Sequence, residues 1–465
     1  MTADNNSMKS QDHDIPDKQR ALVLQGGGAL GAYEVGVLKV LCEKLERNGH
    51  KRKDRPLFDI VAGSSMGAMN AAVLVSNVVN RDKSWEQAVG VLEEFWTDKK
   101  YGLSSNPDIS KSLDDAKKRN NFSASPEAAR RYYSVLYYLA KGTRNVCCTA
   151  FEPDSRFGQD SFEWQWYTSD LLQQTIERYS NAEKTEKLKI ATSREQSQPR
   201  LLIISVDVAE GETVTFDSYY KSDHSNNPLY NDDGVNIHHI MASGTIPAFY
   251  KFKEIGGRKF CDGGWLSNTP FRELLQAHRD YWVKVASGDT DKIPDLDVYI
   301  VNVNPSKVDN VPTDYNEVQN RQTEITFLDR NSHYDEMVAH LATGYNELEE
   351  TLNDSIGIIR KLKALKSHII NTSEGAAFQK ELECLLMITE GTSNDLNHIR
   401  KKYKDLIKGK FKLHSVVRIE RSNEFDPSTG RELDYSSKPN DFTHKTIKML
   451  IEQGEKDALK ILEGC

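Results

Sequence analysis

Two short apolar runs, each ended by glycines and each followed by a helical stripe, constrain this chain more than any other feature. Ala21-Leu22-Val23-Leu24 runs into Gly26-Gly27-Gly28, after which Tyr33, Val37, Leu38, Leu41 and Leu45 recur at helical spacing. Phe58-Asp59-Ile60-Val61-Ala62 breaks at Gly63-Ser64-Ser65-Met66-Gly67, and a small-residue helix follows from Ala68 to Val79. A strand that is apolar along its length has to be covered on both faces. Two strand–turn–helix units in succession therefore demand a layered α/β fold.

Further strand-like runs occur at Leu201–Val208, Val214–Phe216, Phe249–Ile255 and Val298–Val301. Residues 84–190 are expected to be mostly helical, with aromatic clusters at Tyr132, Tyr133, Tyr137 and Tyr138 and at Trp164, Trp166 and Tyr167. Helical stripes take over later, at Met337, Leu341, Tyr345, Leu348 and Leu352, then over 376–408, and last from Thr446 to Leu462. The first 18 residues are polar, lack an apolar signal core and are expected to form a disordered tail.

Composition removes several function classes. The net charge of −8 argues against a general nucleic-acid binder, which needs a basic surface. No run approaches the ~18 uninterrupted apolar residues of a membrane span. The six cysteines include no CxxC pair, so neither a structural zinc site nor a disulfide framework is expected, and the compartment is expected to be the cytoplasm. No metal cluster is expected.

Three motifs carry the candidate chemistry. Gly26-Gly27-Gly28-Ala29-Leu30-Gly31 matches G-x-G-x-x-G between a strand and a helix. Glycines bend the backbone sharply and present N–H groups, and a helix N-terminus adds partial positive charge, so the place favours an anion. A dinucleotide site would want an acidic residue at the end of the second strand. That strand ends in Ala62-Gly63-Ser64-Ser65, so no cofactor is expected. The second motif, Gly63-Ser64-Ser65-Met66-Gly67, is G-x-S-x-G in the strand-to-helix setting of a nucleophile elbow, although an ordinary turn with an exposed serine has the same pattern. The third, Asp262-Gly263-Gly264, reads alone as a hairpin turn. In the company of Ala242–Phe249 and Asn268-Thr269-Pro270, small or rigid residues, it reads as an acid packed into a site wall.

Together these stretches resemble the patatin-like phospholipases, lipid acyl hydrolases with a Ser–Asp dyad. The matching segments are LVLQGGGALGAYEVGVLKVL, IVAGSSMGAMNAAVL, ASGTIPAFY and DGGWLSNTP, in the family's order. The resemblance implies Ser65 as nucleophile, Asp262 as base and Gly26, Gly27 and Gly28 as the oxyanion loop. Gly31, Gly63, Met66, Gly67, Gly263 and Gly264 complete the motifs. It also implies a three-layer α/β/α sandwich with a mainly parallel central sheet over residues 19–305, followed by a mainly helical extension over 306–465. Many members carry Arg or Lys where this chain has Leu30.

The expected substrates are phospholipids or lysophospholipids, reached at a membrane or micelle surface by a cytoplasmic, peripherally bound enzyme. Two rivals stand beside this. One is an esterase pairing Ser65 with a histidine, seven of which follow Asp262. The other is a non-catalytic lipid-binding protein on the same fold. The adjacent His238 and His239 are expected on a strand, facing opposite ways in structural roles. Tyr132–Tyr138 is either an interfacial lid or core, and the basic run from Arg400 to Lys412 reads as a solvated helix face.

Overall fold

The computed structural model describes residues 15–47, 55–118, 126–143, 145–149, 167–181, 187–221, 227–230, 232–247, 249–285, 293–308, 311–328, 334, 336, 337, 339, 340, 411–424 and 438–463. Trp164, Trp166, the stripe from Leu341 to Leu352, the stretch 376–408 and the basic run up to Lys410 lie outside the described residues.

The chain opens with β1 (Lys18–Leu24), a 3-10 turn at Gly28–Gly31, α1 (Ala32–Arg47), β2 (Ile60–Ser64), α2 (Met66–Val79) and α3 (Trp85–Thr97). β2 starts two residues later than its apolar run suggests. The Asp59 carboxylate accepts the Arg20 N–H at 2.6 Å, which replaces a ladder bond at that point. Next come α4 (Ser110–Lys118) and α5 (Pro126–Lys141). A small sheet of β3 (Gly142–Thr143), β4 (Cys147–Thr149) and β5 (Tyr167–Thr168) follows, then α6 (Asp170–Ser180). β6 (Lys189–Ile190) precedes β7 (Arg200–Asp207) and β8 (Glu212–Asp217). Then come β9 (Val235–Asn236), α7 (Ile237–Ser243), β10 (Lys253–Ile255) and β11 (Arg258–Asp262). The remainder is α8 (Phe271–Val285), β12 (Asp295–Asn302), α9 (Tyr315–Phe327), β13 (Leu413–Glu420) and α10 (His444–Leu462).

The architecture is a three-layer α/β/α sandwich. Its eight-stranded sheet runs β10-β11-β7-β2-β1-β12-β13, with β8 also paired to β7. β1, β2 and β7 form a parallel block at the centre. Both faces of that block are buried. Leu22, Leu24, Val61, Leu201 and Ile203 join the main core, while Ala21, Val23, Ile60, Leu202 and Ile204 point to the other side and are equally dry. Covering two faces takes a helical layer on each, which is why these strands read as continuous apolar runs.

Register on β7 decides where the site forms. Leu202–Ile204 pair with both β2 and β8, so those two strands take opposite edges of β7. Ser205–Asp207 pair with both β8 and β11, so β11 lies on the edge that β2 has just left. Ser64 is opposite Ile204 and Asp262 is opposite Ser205. Two distant segments thus meet end to end.

The C-terminal part is more than helical. β13 adds a strand to the sheet, and α10 lies along α1, where the Tyr33 hydroxyl donates to Asp457 at 3.2 Å. Polar residues interrupt the β13 run, which is why its apolar pattern is weak. By contacts, Lys18–His278, Leu296–Asp335 and His414–Cys465 form one compact unit. A second comprises Met1–Asp17, Arg279–Asp295 and Glu336–Leu413; within it the Tyr281 and Trp282 rings meet edge to face, 5.3 Å apart.

Candidate active site

Ser65 sits in the turn between β2 and α2 at φ 53° and ψ −126°. A non-glycine residue with such angles stores on the order of 1–3 kcal/mol of strain, and the turn needs support. The Ser65 N–H donates to Ser243 Oγ at 2.9 Å, and the Ser243 hydroxyl donates to the Ile204 carbonyl. The flanking glycines leave room for this geometry. A Cβ on Gly63 would meet the Gly67 carbonyl oxygen at 2.4 Å, and one on Gly67 the Leu24 carbonyl oxygen at 2.4 Å. Ser64, one residue earlier, is fully buried.

The Ser65 hydroxyl donates to Asp262 Oδ2 at 2.6 Å. The other carboxylate oxygen accepts the Gly264 N–H at 2.7 Å, and the Asp262 N–H is bonded to the Thr245 carbonyl at 2.8 Å. Asp262 is only 4% exposed. Burial pushes its carboxyl up to about 6, while the hydrogen bonds from Ser65 and Gly264 hold it down in part. It is therefore a better proton acceptor than an ordinary aspartate and still ionised at neutral pH.

The glycine loop passes directly over this pair, and it is anchored firmly. The Gly26 N–H donates to the Asn268 carbonyl at 3.2 Å, and Asn268 Nδ2 donates to the Gly26 carbonyl at 3.1 Å and to the Phe327 carbonyl at 2.8 Å. Gln25 is buried beneath, with its Oε1 accepting the N–H groups of Val303 and Asn304 at 2.8 and 2.9 Å. Gly28 has φ 56°, and a Cβ there would lie 2.4 Å from the Pro439 carbonyl oxygen. After the loop, the Gly31 carbonyl accepts from Asn70 Nδ2 at 2.9 Å; the same nitrogen reaches Glu34, whose buried carboxyl is held well above its usual range by desolvation. Leu30 is buried in the core and does not line the cavity.

A cavity of about 150 Å³ opens beside Ser65 and Asp262. Gly26, Gly27, Gly28 and Gly264 form its polar wall together with the two side chains. Much of the rest is apolar: Met66, Met69, Val146, Leu172, Ile246 and Phe442, with Tyr138 and Tyr250. Two segments absent from the sequence motifs complete it. α9 supplies Thr323 and Phe327, and a C-terminal stretch supplies Pro439, Asn440 and Phe442. They are joined by a buried ion pair, Lys438 Nζ to Glu324 Oε1 at 2.6 Å. Nothing in the local pattern of either segment marks it as part of a site.

The histidine pair is placed differently from its expectation. His238 and His239 occupy the first turn of α7, not a strand. His239 Nδ1 accepts the Asn236 N–H at 3.1 Å and its Nε2 bonds the Leu229 carbonyl at 2.9 Å, a capping role. Burial lowers its imidazole to about 4. Among the described residues, no histidine lines the Ser65 cavity. The tyrosine cluster is split: Tyr138 is buried in the cavity wall, whereas Tyr132 and Tyr137 face outward.

Residues 22–275, more than half of the chain, match the model of the patatin-like phospholipases. The chain belongs to that family. Membership supports lipid acyl hydrolysis as its general chemistry. Among solved structures the chain is similar to VipD from Legionella pneumophila, at 12% identity and TM-score 0.33, over 97% of this chain and 67% of that one. It is also similar to human GIVD cytosolic phospholipase A2 in complex with methyl gamma-linolenyl fluorophosphonate, at 15% identity and TM-score 0.23, over 44% of this chain and 23% of that one. No curated protein matches the chain. Among the described residues, no helix of this patatin-like protein is long and apolar enough to cross a membrane.

Proposed function

We propose that the protein hydrolyses acyl esters of phospholipids or lysophospholipids through a Ser65–Asp262 dyad and an acyl-enzyme. The observation that carries this reading is the 2.6 Å hydrogen bond from the Ser65 hydroxyl to a desolvated carboxylate, beneath a glycine loop and beside an apolar cavity. Ser65 Oγ attacks the ester carbonyl carbon as its proton passes to Asp262. The tetrahedral oxyanion accepts from the N–H groups of Gly27 and Gly28 and from that of Met66 at the start of α2. Gly26 N–H is committed to Asn268, so its part is to hold the loop. Protonated Asp262 then gives its proton to the leaving alcohol. Water, deprotonated by the same carboxylate, attacks the acyl carbonyl carbon; the acyl–Oγ bond then breaks as Asp262 returns the proton to Ser65 Oγ, and the carboxylic acid leaves.

A fluorophosphonate probe tests the nucleophile. Peptide mass spectrometry is expected to place the adduct on Ser65, and an adduct on Ser64 would sink the assignment. A panel of lysophospholipids, phospholipids and neutral glycerides, with Ser65→Ala as the blank, tests the substrate class; turnover of the neutral glycerides alone would exclude it.

A further inference from the structure

We infer that Ile246, Phe249, Trp265 and Leu266, with Lys251 and Lys253 beside them, form the surface that docks this protein on an anionic phospholipid bilayer. The idea takes its rationale from the proposed lipid hydrolysis, but it stands on separate residues. These four large apolar side chains are 36, 39, 54 and 47% exposed. Ile246 and Trp265 also line the Ser65 cavity, so the apolar patch is continuous with the opening above the nucleophile. A contiguous exposed apolar patch at the mouth of a cavity marks a contact surface rather than ordinary surface scatter.

The geometry brings the two halves of the patch together. Ile246 and Phe249 follow α7, and Trp265 and Leu266 follow Asp262; the bond from the Asp262 N–H to the Thr245 carbonyl at 2.8 Å ties the two turns. The rings are braced from below. Phe249 stacks on Tyr167 at 5.9 Å, and Trp265 meets Phe327 edge-on at 6.3 Å. Pre-ordered side chains lose little freedom when they insert into an interface, and tryptophan favours the headgroup boundary of a bilayer.

Charge identifies the kind of bilayer. A second cavity of about 220 Å³ is lined by Thr168, Ser169, Lys251 and Lys253, and it shares Tyr250 with the Ser65 cavity. Asp170 is the acidic side chain that lines it. Desolvation lowers the Lys253 ammonium, and Asp170 opposes this. An anionic headgroup stabilises such a cation, and basic groups close to an anionic membrane surface strengthen binding. The outward face of α5, with Tyr132, Leu136 and Tyr137, is also exposed, but none of these residues lines the Ser65 cavity.

The test uses the full chain carrying Ser65→Ala, so that binding is read without turnover. Sedimentation with phosphatidylcholine vesicles, with and without phosphatidylglycerol, is expected to show tighter binding to the anionic set. Leu266→Glu and Phe249→Glu are each expected to weaken binding to both sets by ~10-fold or more, since each buries an apolar side chain in the docked state. Lys251→Glu is expected to weaken binding only to the anionic vesicles. In the otherwise wild-type chain, Leu266→Glu is expected to keep its rate on a monomeric short-chain ester; Leu266→Ala replaces it where the charged variant melts early. Unchanged vesicle binding by Leu266→Glu and Phe249→Glu overturns the proposal. So does loss of binding in Tyr132→Glu with none in Leu266→Glu, which assigns docking to α5. Self-association in ultracentrifugation that Leu266→Glu abolishes, without vesicle binding by the parent, makes the patch an interface between copies and also overturns it. Vesicle binding without hydrolysis by the wild type leaves docking intact and defeats the dyad reading instead.

Discussion

The cavity at Ser65 has two walls built on different principles. One consists of the glycine loop and the serine turn, which end the neighbouring parallel strands β1 and β2. Each is made within a few residues, from a strand, a tight turn and a helix start. The other consists of α9 and the stretch Lys438–Phe442, which are more than 100 residues apart in the chain and meet through the Lys438–Glu324 pair. Asn268 and Gln25 fasten this second wall to the first, since both reach the Phe327 carbonyl, at 2.8 and 3.4 Å. The glycine loop and the serine turn are shaped by short-range backbone geometry, while the meeting of Ser65 with Asp262 and the outline of the cavity depend on contacts between distant segments.

The strongest test of this division is removal of the dyad. Ser65→Ala and Asp262→Asn are each expected to lower turnover by ~10⁴-fold or more, and the double variant by little beyond either alone, because members of one unit do not contribute additively. Near-wild-type turnover by Asp262→Asn would show that another base serves Ser65. A smaller effect is expected on the second wall. Lys438→Met removes the nearer of two ion-pair partners of the buried Glu324, leaving Arg321 at 3.2 Å, and is expected to cost roughly 1–3 kcal/mol of stability by denaturant titration. At a temperature where the variant is folded, fluorophosphonate labelling of Ser65 is expected to persist. If labelling disappears as completely as in Ser65→Ala, the two walls are not separable.

Asp262 also links activity to stability. Its carboxyl is raised to about 6 in the fold, against about 3.9 in an unfolded chain. The folded state therefore holds this proton more tightly. The stabilising contribution is full below pH ~4, declines as pH rises through about 6, and is gone above it. Asp262→Asn should thus be more stable than the wild type at neutral pH, by about 1–3 kcal/mol, and the gain should vanish near pH 4. Equal melting of the two proteins across that range would contradict a desolvated carboxylate. The smallest effect is the acid limb of kcat/KM. It should fall about tenfold per pH unit below about 6, as Asp262 becomes protonated. A limb that persists unchanged in a variant lacking the carboxylate would assign it to another group.

How much of this was readable beforehand follows the same division. β7 and β12 lie within a few residues of their apolar runs, since a strand buried on two faces has a continuous signature, whereas β8 is mostly half-buried and extends past the Val214–Phe216 run at both ends. The run at Phe249–Ile255 yields only the short β10, because Ile246–Tyr250 forms a turn in which the Tyr250 N–H bonds back to Ile246. β13 has no clear signature in the sequence, as its apolar run is interrupted by polar residues. His238 and His239 read as strand residues because adjacent histidines carry no helical period of their own, and the Asn236 cap that starts α7 decides otherwise.

The sequence by itself determined the serine turn, the glycine loop and the acid in its small-residue setting. Their residue types are required by local sterics that no distant contact can relax. A Cβ at Gly63 collides with the Gly67 carbonyl oxygen 2.4 Å away, and Gly28 takes φ 56°, so the letters themselves report the geometry. Only the tertiary structure decided that Ser65 and Asp262 meet, because that depends on β11 taking the edge of β7 where β2 leaves it. It alone decided, too, that α9 and Lys438–Phe442 close the cavity. Pairing register and a buried salt bridge are properties of two distant segments together, and neither segment carries them alone.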